Sequence, residues 1–264
     1  MGMAVVTLTT GWTDDFYVAA IKGILLSSLP SVQVVDMSHS APAFGSGISY
    51  AAYMVKHSYR YFPKGTVHII SIASEYTDGA PFVAAYHNGH YFIGTDNGVF
   101  GLLFDEVPDA MVRIEKFQDE DSPNYPAISV FAPAAVHLIG GGSMDELGSP
   151  YAEYQHRGMM LATMDESQIT GTVIYINAFG NVITNITRHD FERTGKGRPF
   201  EILVQRSSRK ITRINRYFHE TSRGELLAVF NVSGYLEIAQ NKGRLAELLQ
   251  LSLNSNIIVK FFNK

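Results

Sequence analysis

The first half of the chain alternates between apolar runs of strand length and segments with one apolar helical face, and this alternation restricts the fold more than any other feature. The run AVVTL (4–8) precedes a stretch with apolar residues at helical spacing (18–29), and VQVVDM (32–37) precedes a second one (48–59). The run TVHIISIA (66–73) is apolar almost throughout, as in a strand covered on both faces. This order predicts a largely parallel sheet layered with helices.

A hairpin and a further helix follow. The segment FVAAYHNGHYFIG (82–94) indicates two strands joined at Asn88-Gly89, a dipeptide typical of two-residue hairpin turns. The hairpin adds antiparallel pairing, so the predicted sheet is mixed although mostly parallel. Residues 131–139 predict a helix that tolerates Pro133 in its first turn and ends at the glycines 140–142.

Beyond about residue 165 the pattern changes to short strands that indicate a small β-domain. They are predicted around residues 171–176, 200–205, 225–230, 235–239 and 256–261. GRLAELLQL (243–251) is the clear helix of this half, and the polar segment MDESQ (164–168) is the expected linker. The fold class is therefore α/β, with an N-terminal α/β domain over residues 1–165 and a second, β-rich domain over residues 166–264.

Composition limits the partners and the location. Charged residues make up 17% of the 264 residues, below the roughly 25% of an average soluble domain, so an oligomer is favoured. A net charge of −4 without a lysine or arginine block argues against nucleic acid as a partner. No apolar run approaches the roughly 20 residues of a membrane span, and MGMAVVTLTT lacks a signal-peptide pattern, so we expect a cytoplasmic protein with no membrane partner.

The sequence predicts no metal site. It contains no cysteine, which excludes thiolate ligands, disulfides and cysteine nucleophiles. His87 and His90 flank the hairpin turn and are expected to face each other, but no third ligand lies near them in sequence. The acidic run 119–121 lies in a proline-containing loop and is interpreted as solvated surface.

Two polar segments directly follow predicted strands. Residues 95–98 (TDNG) come after YFIG, at the carboxyl end of a strand, where open sheets bind ligands. Residues 179–181 (FGN) come after TVIYIN, and an aromatic ring beside an asparagine amide suits a flat heterocycle. Both segments also fit ordinary turns. The residues alone thus support a two-domain α/β protein with a candidate ligand site between its domains.

Eight short segments, in order along the chain, carry a family resemblance. They are TLTT at 7–10, DFYV at 15–18 with Lys22-Gly23, VDMSH at 35–39, FPKGTVH at 62–68, TDNG at 95–98, FAPAAVHL at 131–138, FGNVITNI at 179–186 and SGYLEIAQNKG at 233–243. Through them the chain resembles the S-adenosylmethionine (SAM) hydroxide adenosyltransferases and the related fluorinases and chlorinases. The resemblance implies an N-terminal α/β domain joined to a C-terminal β-barrel, in a homotrimer with its nucleoside site between neighbouring subunits.

The resemblance also implies which residues bind the nucleoside. In the family, adenine stacks on aromatic rings and is hydrogen-bonded by the asparagine of F-G-N and by the last barrel strands; Phe179, Asn181 and Ser233 match here. Tyr217 stands before S-G-Y at a spacing similar to that of the family's adenine-stacking aromatic residue. Further residues in or beside the matched segments complete the predicted ligand-binding set: Asp15, Asp96, Asn97 and Asn177.

The groups that carry the family's chemistry are replaced in this chain. Hydrolytic members have an aspartate in V-D-P-G-V-G-T, an arginine after it and a histidine before F-A-P. The aligned positions here hold Ala73, Ala80-Pro81 and Pro126. The family's ribose-binding aspartate falls at Gly11, with Asp14 close by. The polar side chains proposed to take over catalysis, whose alternative is plain surface exposure, are Glu75, Tyr76, Asp78 and His39.

Two hypotheses of different class follow. The first is an enzyme that hydrolyses SAM to adenosine and methionine by attack at the 5′ carbon, with altered catalytic groups. The second is a catalytically inactive trimer that binds a nucleoside, and a purely structural trimer is a third. SAM is the substrate or ligand, and no separate cofactor is expected. Halogenation is disfavoured, because the inserted loop of halogenating members and their serine before F-A-P are absent.

Overall fold

The structure is a computed structural model that describes residues 3–13, 15–42, 46–75, 77, 79–117, 124–155, 161–205 and 207–263. The chain divides into two compact units, Met1–Gly158 and Met159–Lys264. Each unit has its own sheet and its own hydrophobic core.

The first unit is built on a seven-stranded sheet. Its strands are β1 (Val5–Thr10), β2 (Gln33–Ser38), β3 (Val67–Ser71), β4 (Phe82–His87), β5 (His90–Thr95), β6 (Ala110–Ile114) and β7 (Gly148–Pro150), and their order is β2-β1-β3-β5-β4-β6-β7. Strands β2, β1, β3 and β5 are parallel, and β4, β6 and β7 pair antiparallel. The predicted α/β fold is confirmed, and His87 pairs with His90 across the expected hairpin turn.

The described residues of this unit form four α-helices beside the sheet: α1 (Phe16–Ser28), α2 (Gly47–Ser58), α3 (Val99–Leu103) and α4 (Ala132–Ile139). Asp15 caps α1 by accepting from the backbone N–H of Tyr17, and α1 buries Val18, Ile21 and Leu25 at the predicted spacing. The helix predicted at 131–139 is preceded by a wide turn, Ala127–Phe131. This turn accommodates the ring of Pro133, which lacks the N–H that a regular helix would use there.

The core of the first unit lies between α1, α4 and one face of the sheet. Leu8, Ile69 and Ile93 come from adjacent parallel strands and are fully buried, as are Ile21 and Phe131 from the helical side. Burying side chains of this size is the main stabilisation of such a layer, at about 1.5–3 kcal/mol each.

The second unit is an antiparallel barrel. Its strands are β8 (Thr163–Met164), β9 (Gln168–Ile176), β10 (Val182–Thr187), β11 (Phe200–Val204), β12 (Lys210–Ile211), β13 (Leu226–Phe230), β14 (Tyr235–Gln240) and β15 (Asn256–Phe261). They are ordered β12-β11-β15-β9-β10-β14-β13, with β8 beside β9. The backbone N–H of Asn215, just after β12, donates to the carbonyl of Ala228 in β13 at 2.7 Å. This contact nearly closes the sheet into the expected barrel.

Two short helices belong to the barrel unit, α5 (Arg188–Gly195) and α6 (Leu245–Leu248). The helix predicted over 243–251 is wrong in length, because Leu249 leaves helical geometry and Gln250 is left-handed, with φ of 50°. Helix α5 was not predicted, since its sequence RHDFERTG is polar and carries no apolar face; Thr187 caps it by accepting from the N–H of Asp190.

Within the described part of the chain, no helix combines the length and the apolar character that crossing a bilayer requires.

Candidate functional site

A turn at the carboxyl end of β9 contains three predicted site residues. The Oδ1 of Asn177 accepts hydrogen bonds from the backbone N–H groups of Phe179 (2.9 Å) and Asn181 (3.1 Å). The N–H of Asn177 donates to the carbonyl of Asn181 at 3.1 Å and closes the turn. A short side-chain acceptor that captures N–H groups two and four residues ahead is typical of asparagine in turns. Asn177 therefore shapes the turn from within.

A buried carboxylate in β14 holds the side-chain amides of this turn. Glu237 is 8% exposed, and its Oε1 accepts from Asn181 Nδ2 at 2.8 Å and from Asn177 Nδ2 at 3.3 Å. Asn181 is itself 7% exposed, and no described residue hydrogen-bonds to its Oδ1. An amide oxygen held in this way can accept an N–H or O–H of a ligand.

The start of α6 fixes the other side of the turn. Arg244 Nη1 donates to the carbonyl of Ala178 at 2.8 Å, and the N–H of Ala246 donates to the carbonyl of Gly180 at 2.9 Å. Gly180 has φ of 76°, and a Cβ there would lie 3.0 Å from Arg244 Cβ. Glycine is needed at this position both for its left-handed backbone and for the close approach of Arg244.

Phe179 projects from this turn and is 74% exposed. A large aromatic ring left in solvent beside a buried amide can stack on a planar ligand. The turn thus combines a stacking face with a hydrogen-bonding edge, as expected from FGN.

The structure does not bring Ser233 to this turn. Ser233 lies in the hairpin between β13 and β14, where its N–H donates to Asn231 Oδ1 at 3.0 Å. In the ladder between β10 and β14, Val182 pairs with Ile238 and Thr187 with Tyr235. Ser233 therefore lies at the end of the ladder away from Asn181.

Tyr217 lies in a separate surface group of the barrel. It is 48% exposed, and its ring stacks on His219 with centroids 5.3 Å apart and planes 14° apart. The guanidinium carbon of Arg216 lies 5.3 Å from the centroid of the same ring. No ring contact or hydrogen bond between described residues joins Tyr217 to the 177–181 turn. Its predicted role in stacking stays a prediction.

In the first unit, a network of polar side chains lies at the carboxyl ends of β1 and β2. Thr10 Oγ1 lies 2.8 Å from His39 Nδ1, and His39 Nε2 lies 3.0 Å from Asp36 Oδ1. Lys22 Nζ donates to Asp36 Oδ2 at 2.6 Å. Partial burial acts to raise the pKa of the Asp36 carboxyl, but the hydrogen bond from Lys22 and the nearby imidazole of His39 outweigh it and leave the pKa below its usual value. The ionised Asp36 lies within ion-pair distance of the imidazole without a well-aligned hydrogen bond to Nε2, and a carboxylate so close to a histidine suits a general base.

Aromatic rings surround the start of α1, beside this network of polar groups. Tyr17 stacks on Tyr125 with centroids 4.7 Å apart, and Trp12 lies 5.3 Å from Tyr17. A hydrogen bond with Tyr125 is the largest of the effects that raise the pKa of Tyr17 to about 12, so its hydroxyl stays protonated. The N–H of Trp12 donates to Thr10 Oγ1 at 3.2 Å. The predicted ligand residue Asp15 lies here too, as the cap of α1.

Asp96 and Asn97 are used inside the first unit. Asp96 is fully buried, and its Oδ2 accepts from the hydroxyl of Tyr151 and from the N–H of Gln155, each at 2.8 Å. Burial and this hydrogen bond raise the pKa of Tyr151 to about 12. Asn97 Nδ2 donates to the carbonyls of Ile72 and Ala73, at 2.7 and 3.0 Å. The Asp96 side chain therefore holds the segment after β7 and the Asn97 side chain holds the loop after β3, and ligand contact by either stays a prediction.

The other catalytic candidates lie on that loop. Glu75 is exposed, and Tyr76 and Asp78 lie outside the described residues. Ala73, at the position expected for the family's aspartate, has a left-handed backbone with φ of 45°. Of the four candidates, His39 has a described hydrogen-bond network around it.

The two histidines of the hairpin belong to a buried aromatic cluster. His68 Nε2 lies 3.3 Å from His90 Nδ1, and His68 Nδ1 lies 2.8 Å from Thr7 Oγ1. Burial, with the charge of His90 as a smaller effect, lowers the pKa of His68 to about 3. His87 packs against Phe104, with ring centroids 4.8 Å apart. Among the described residues no group of three acidic or histidine side chains is placed to hold a metal ion.

The sequence did not point to several residues that surround the 177–181 turn or the polar network around His39. Glu237 stands in the apolar run YLEIA, and a single charged residue there is typical of a solvent-facing position. Arg244 falls in a segment predicted only as a helix. Tyr125 is 108 residues from Tyr17 in sequence, so that only the fold brings the two rings together, whereas Trp12 lies five residues before Tyr17 and was not singled out. Thr10 belongs to TLTT, yet its pairing with His39 depends on the parallel register of β1 and β2.

Family models match both units. The SAM hydroxide adenosyltransferase N-terminal domain matches residues 6–148, and the SAM hydroxide adenosyltransferase C-terminal domain matches residues 171–258.

Curated proteins similar to this chain include hydrolases and a fluorinase. An (R)-S-adenosyl-L-methionine hydrolase of Thermus thermophilus is 29% identical over 249 residues, covering 90% of this chain and 92% of its own. A protein of the same name from Methanocaldococcus jannaschii is 26% identical and covers 94% of this chain and 92% of its own. A fluorinase of an Actinoplanes species is 23% identical and covers 94% of each chain.

Solved structures show the same fold. An uncharacterized conserved protein from Thermotoga maritima has a TM-score of 0.86 at 23% identity and covers 97% of this chain and 99% of its own. A conserved hypothetical protein from Thermus thermophilus has a TM-score of 0.75 at 27% identity and covers 99% of this chain and 100% of its own.

Proposed function

This chain belongs to the SAM hydroxide adenosyltransferase family, and on that premise we propose that it binds SAM and hydrolyses it to adenosine and methionine. The similar hydrolases of Thermus thermophilus and Methanocaldococcus jannaschii favour hydrolysis over halogenation, since they are 29% and 26% identical against 23% for the fluorinase of Actinoplanes.

The observation that carries the proposal is the edge presented by Asn181. Its amide is held by Glu237 at 2.8 Å, its Oδ1 has no described partner, and the exposed ring of Phe179 lies two residues away. A ring face for stacking and an amide for a heterocycle edge are the two elements that adenine recognition needs. The adenosyl group of SAM supplies the matching ligand.

The proposed reaction requires no covalent bond between the protein and the substrate. The oxygen of a water molecule attacks the 5′ carbon, the bond from that carbon to sulfur breaks, and sulfur leaves with the electron pair as the thioether of methionine. A base takes the proton released by the water. No cofactor takes part, and the protein contributes positioning and the exclusion of bulk solvent.

His39 is the proposed base. With the proton of the neutral imidazole assigned to Nε2, 3.0 Å from the Asp36 carboxylate that Lys22 also holds, Nδ1 accepts from the hydroxyl of Thr10 at 2.8 Å. The proton of the water reaches Nδ1 through that hydroxyl. A carboxylate behind an imidazole stabilises the imidazolium that forms when the base takes a proton. This network would serve in place of the family's aspartate, arginine and histidine, whose positions hold Ala73, Ala80-Pro81 and Pro126.

The functional assembly is proposed to be a homotrimer in which the 177–181 turn of one subunit and the Thr10–His39 network of a neighbour share one ligand. The low charged content of 17% favours surfaces covered by other subunits. Size-exclusion chromatography with light scattering tests this assembly: a mass of three chains supports it, and a monomer with full activity contradicts it.

A second candidate function is nucleoside binding without turnover. The loop after β3 favours this function, because Ala73 has only a methyl side chain, which cannot activate water, and the carbonyls of Ile72 and Ala73 already accept hydrogen bonds from Asn97. In this case Asn181 and Phe179 bind the ligand, and no group activates water.

One experiment separates the two functions. The purified protein is incubated with SAM, with and without halide, and adenosine, halogenated nucleoside and methionine are followed by chromatography against a heat-denatured control. We expect equal amounts of adenosine and methionine from the native protein and a large loss of both in Asn181→Ala. If no product forms while calorimetry shows that SAM binds, hydrolysis is contradicted and the binding function stands.

A further inference from the structure

We infer that Glu237 is a specificity-determining residue that makes the site select a 6-amino purine over a 6-oxo purine. The inference rests on the proposed function, because it concerns the adenosyl ligand of the same turn. Glu237 acts through Asn181 and is a positioning residue.

The starting observation is the convergence of two amide groups on one oxygen. Glu237 Oε1 accepts from Asn181 Nδ2 at 2.8 Å and from Asn177 Nδ2 at 3.3 Å. Asn177 cannot turn its amide around, because its Oδ1 already accepts the backbone N–H groups of Phe179 and Asn181. The orientation of the Asn177 amide, with Nδ2 toward Glu237, therefore follows from the backbone of the turn and does not depend on how the Asn181 side chain is oriented. An oxygen that receives two donors acts as an acceptor, which is the role of a carboxylate.

The same carboxylate then determines the orientation of Asn181. The two ends of an asparagine amide have nearly the same shape, so that their hydrogen-bond partners decide which end points where. If the amide of Asn181 were reversed, its Oδ1 would face Glu237 Oε1, and two acceptors would meet in a buried place. Two buried acceptors that face each other without a hydrogen bond are unfavourable. Asn181 Nδ2 must therefore point to Glu237 and Oδ1 to the ligand side.

This orientation leaves an acceptor and one N–H for the ligand. Asn181 Oδ1 has no described partner, and Nδ2 has a second hydrogen beyond the one donated to Glu237. Adenine presents a matching pair, the 6-amino donor beside the N7 acceptor, whereas a 6-oxo purine presents two acceptors on the same edge. The oxygen of hypoxanthine would face the oxygen of Asn181, so the site accepts adenosine and rejects inosine.

The test measures the affinities of adenosine and inosine by calorimetry on the full chain. For the wild-type protein we expect adenosine to bind at least about tenfold more tightly than inosine, the ratio of one good bidentate pair. Glu237→Gln should keep this ratio, because Asn177 Nδ2 still holds the glutamine oxygen at the shared position, whereas in Glu237→Met no acceptor remains and the amide of Asn181 can turn either way. We expect the ratio in Glu237→Met to fall to about threefold or less, through tighter inosine binding as well as weaker adenosine binding.

Glu225→Gln is the matched control, because Glu225 is an exposed barrel residue that accepts from the N–H of Ser222 and lies outside the turn. It should keep the wild-type ratio. A purely structural role for Glu237 would weaken both nucleosides equally, and that result overturns the inference. If Glu237→Met does not fold, Glu237→Leu is measured in its place, and equal affinities for the two nucleosides in the wild-type protein overturn the inference without any variant. If neither nucleoside binds the wild-type protein at about 10 mM, a ceiling on the order of weak fragment affinity, the proposed function fails together with the inference.

Discussion

Asn97 Nδ2 donates to the carbonyls of Ile72 and Ala73, at 2.7 and 3.0 Å, and so ties the start of α3 to the loop after β3. The tie accounts for a backbone that would otherwise be unfavourable, because Ala73 is left-handed with φ of 45°. Asn97 Oδ1 also accepts from the N–H of Val99 at 3.3 Å. One side chain therefore fixes the loop on which the family's catalytic aspartate is expected and accepts the first N–H of the helix that follows.

Asn97→Asp removes the two hydrogen bonds to carbonyls and keeps the acceptor for Val99. We expect the free energy of unfolding to fall by about 1–3 kcal/mol, because the partly buried carbonyl of Ile72 and the carbonyl of Ala73 lose their donor and face a carboxylate instead. Urea denaturation measures this, and hydrogen exchange of the N–H groups around 72–75 reports the loosening of the loop. An unchanged free energy of unfolding would show that the tie does not stabilise the loop.

The fold could be predicted from the sequence because its signals are local. The β-α-β-α rhythm of the first half and the Asn88-Gly89 turn depend on neighbouring residues, and the structure confirms both. Errors occurred where local patterns were weak: polar α5 was missed, and the helix at 243–251 was predicted too long because the reversal at Gln250 has no glycine to mark it.

The candidate site could be predicted only where one segment carries it. Phe179 and Asn181 occur together in FGN, and the structure holds them in one turn. Glu237 is 56 residues from Asn181 in sequence and reaches it only through the pairing of β10 with β14. The left-handed backbone of Ala73 depends in the same way on Asn97, because an alanine at this position does not by itself indicate a left-handed conformation.

Stability should fall as the pH is lowered below about 6.5, the ordinary pKa of histidine in an unfolded chain. Burial lowers the pKa of His68 to about 3 and that of His57 to about 4, so the folded protein takes up these protons only at much lower pH. The unfolded chain binds more protons between these values, and each histidine then costs about 1.4 kcal/mol per pH unit. Above about pH 7 the stabilisation is fully present.

Urea denaturation at about pH 7.5, 6 and 5, on either side of the ordinary histidine pKa, measures this dependence. His68→Gln should make the fall shallower by one histidine, whereas His189→Gln, at an exposed position of α5, should leave it unchanged. Equal slopes for the wild-type protein and His68→Gln would contradict the assignment.

Two glycine substitutions should change stability in opposite directions. Gly180→Ala forces a left-handed alanine whose Cβ lies 3.0 Å from Arg244 Cβ, and we expect a loss of about 1–3 kcal/mol together with weaker ligand binding. Gly23→Ala places a Cβ on an exposed position of α1 with nothing within 4 Å, and we expect a gain of about 0.5–1 kcal/mol. Thermal denaturation of the pair decides this, and a stable Gly180→Ala would argue against the close approach of Arg244.

His39→Asn should lower kcat for SAM hydrolysis by about 100-fold or more, the usual contribution of a general base. KM should change little, because the adenosyl group is proposed to bind at the 177–181 turn. Asp36→Asn should lower kcat less, since it removes the carboxylate beside the imidazole and leaves the base. A kcat that survives His39→Asn would assign proton transfer to another group of the chain.

The most direct test of adenosyl recognition by this turn is a calorimetric titration of SAM into the wild-type protein and into Asn181→Ala. We predict saturable binding at one site per chain, weakened by at least about tenfold in the variant, because the variant loses both hydrogen bonds to the adenine edge. Absence of binding to the wild-type protein at millimolar SAM, or equal affinity in the two proteins, would contradict the claim that the turn held by Glu237 recognises the adenosyl group.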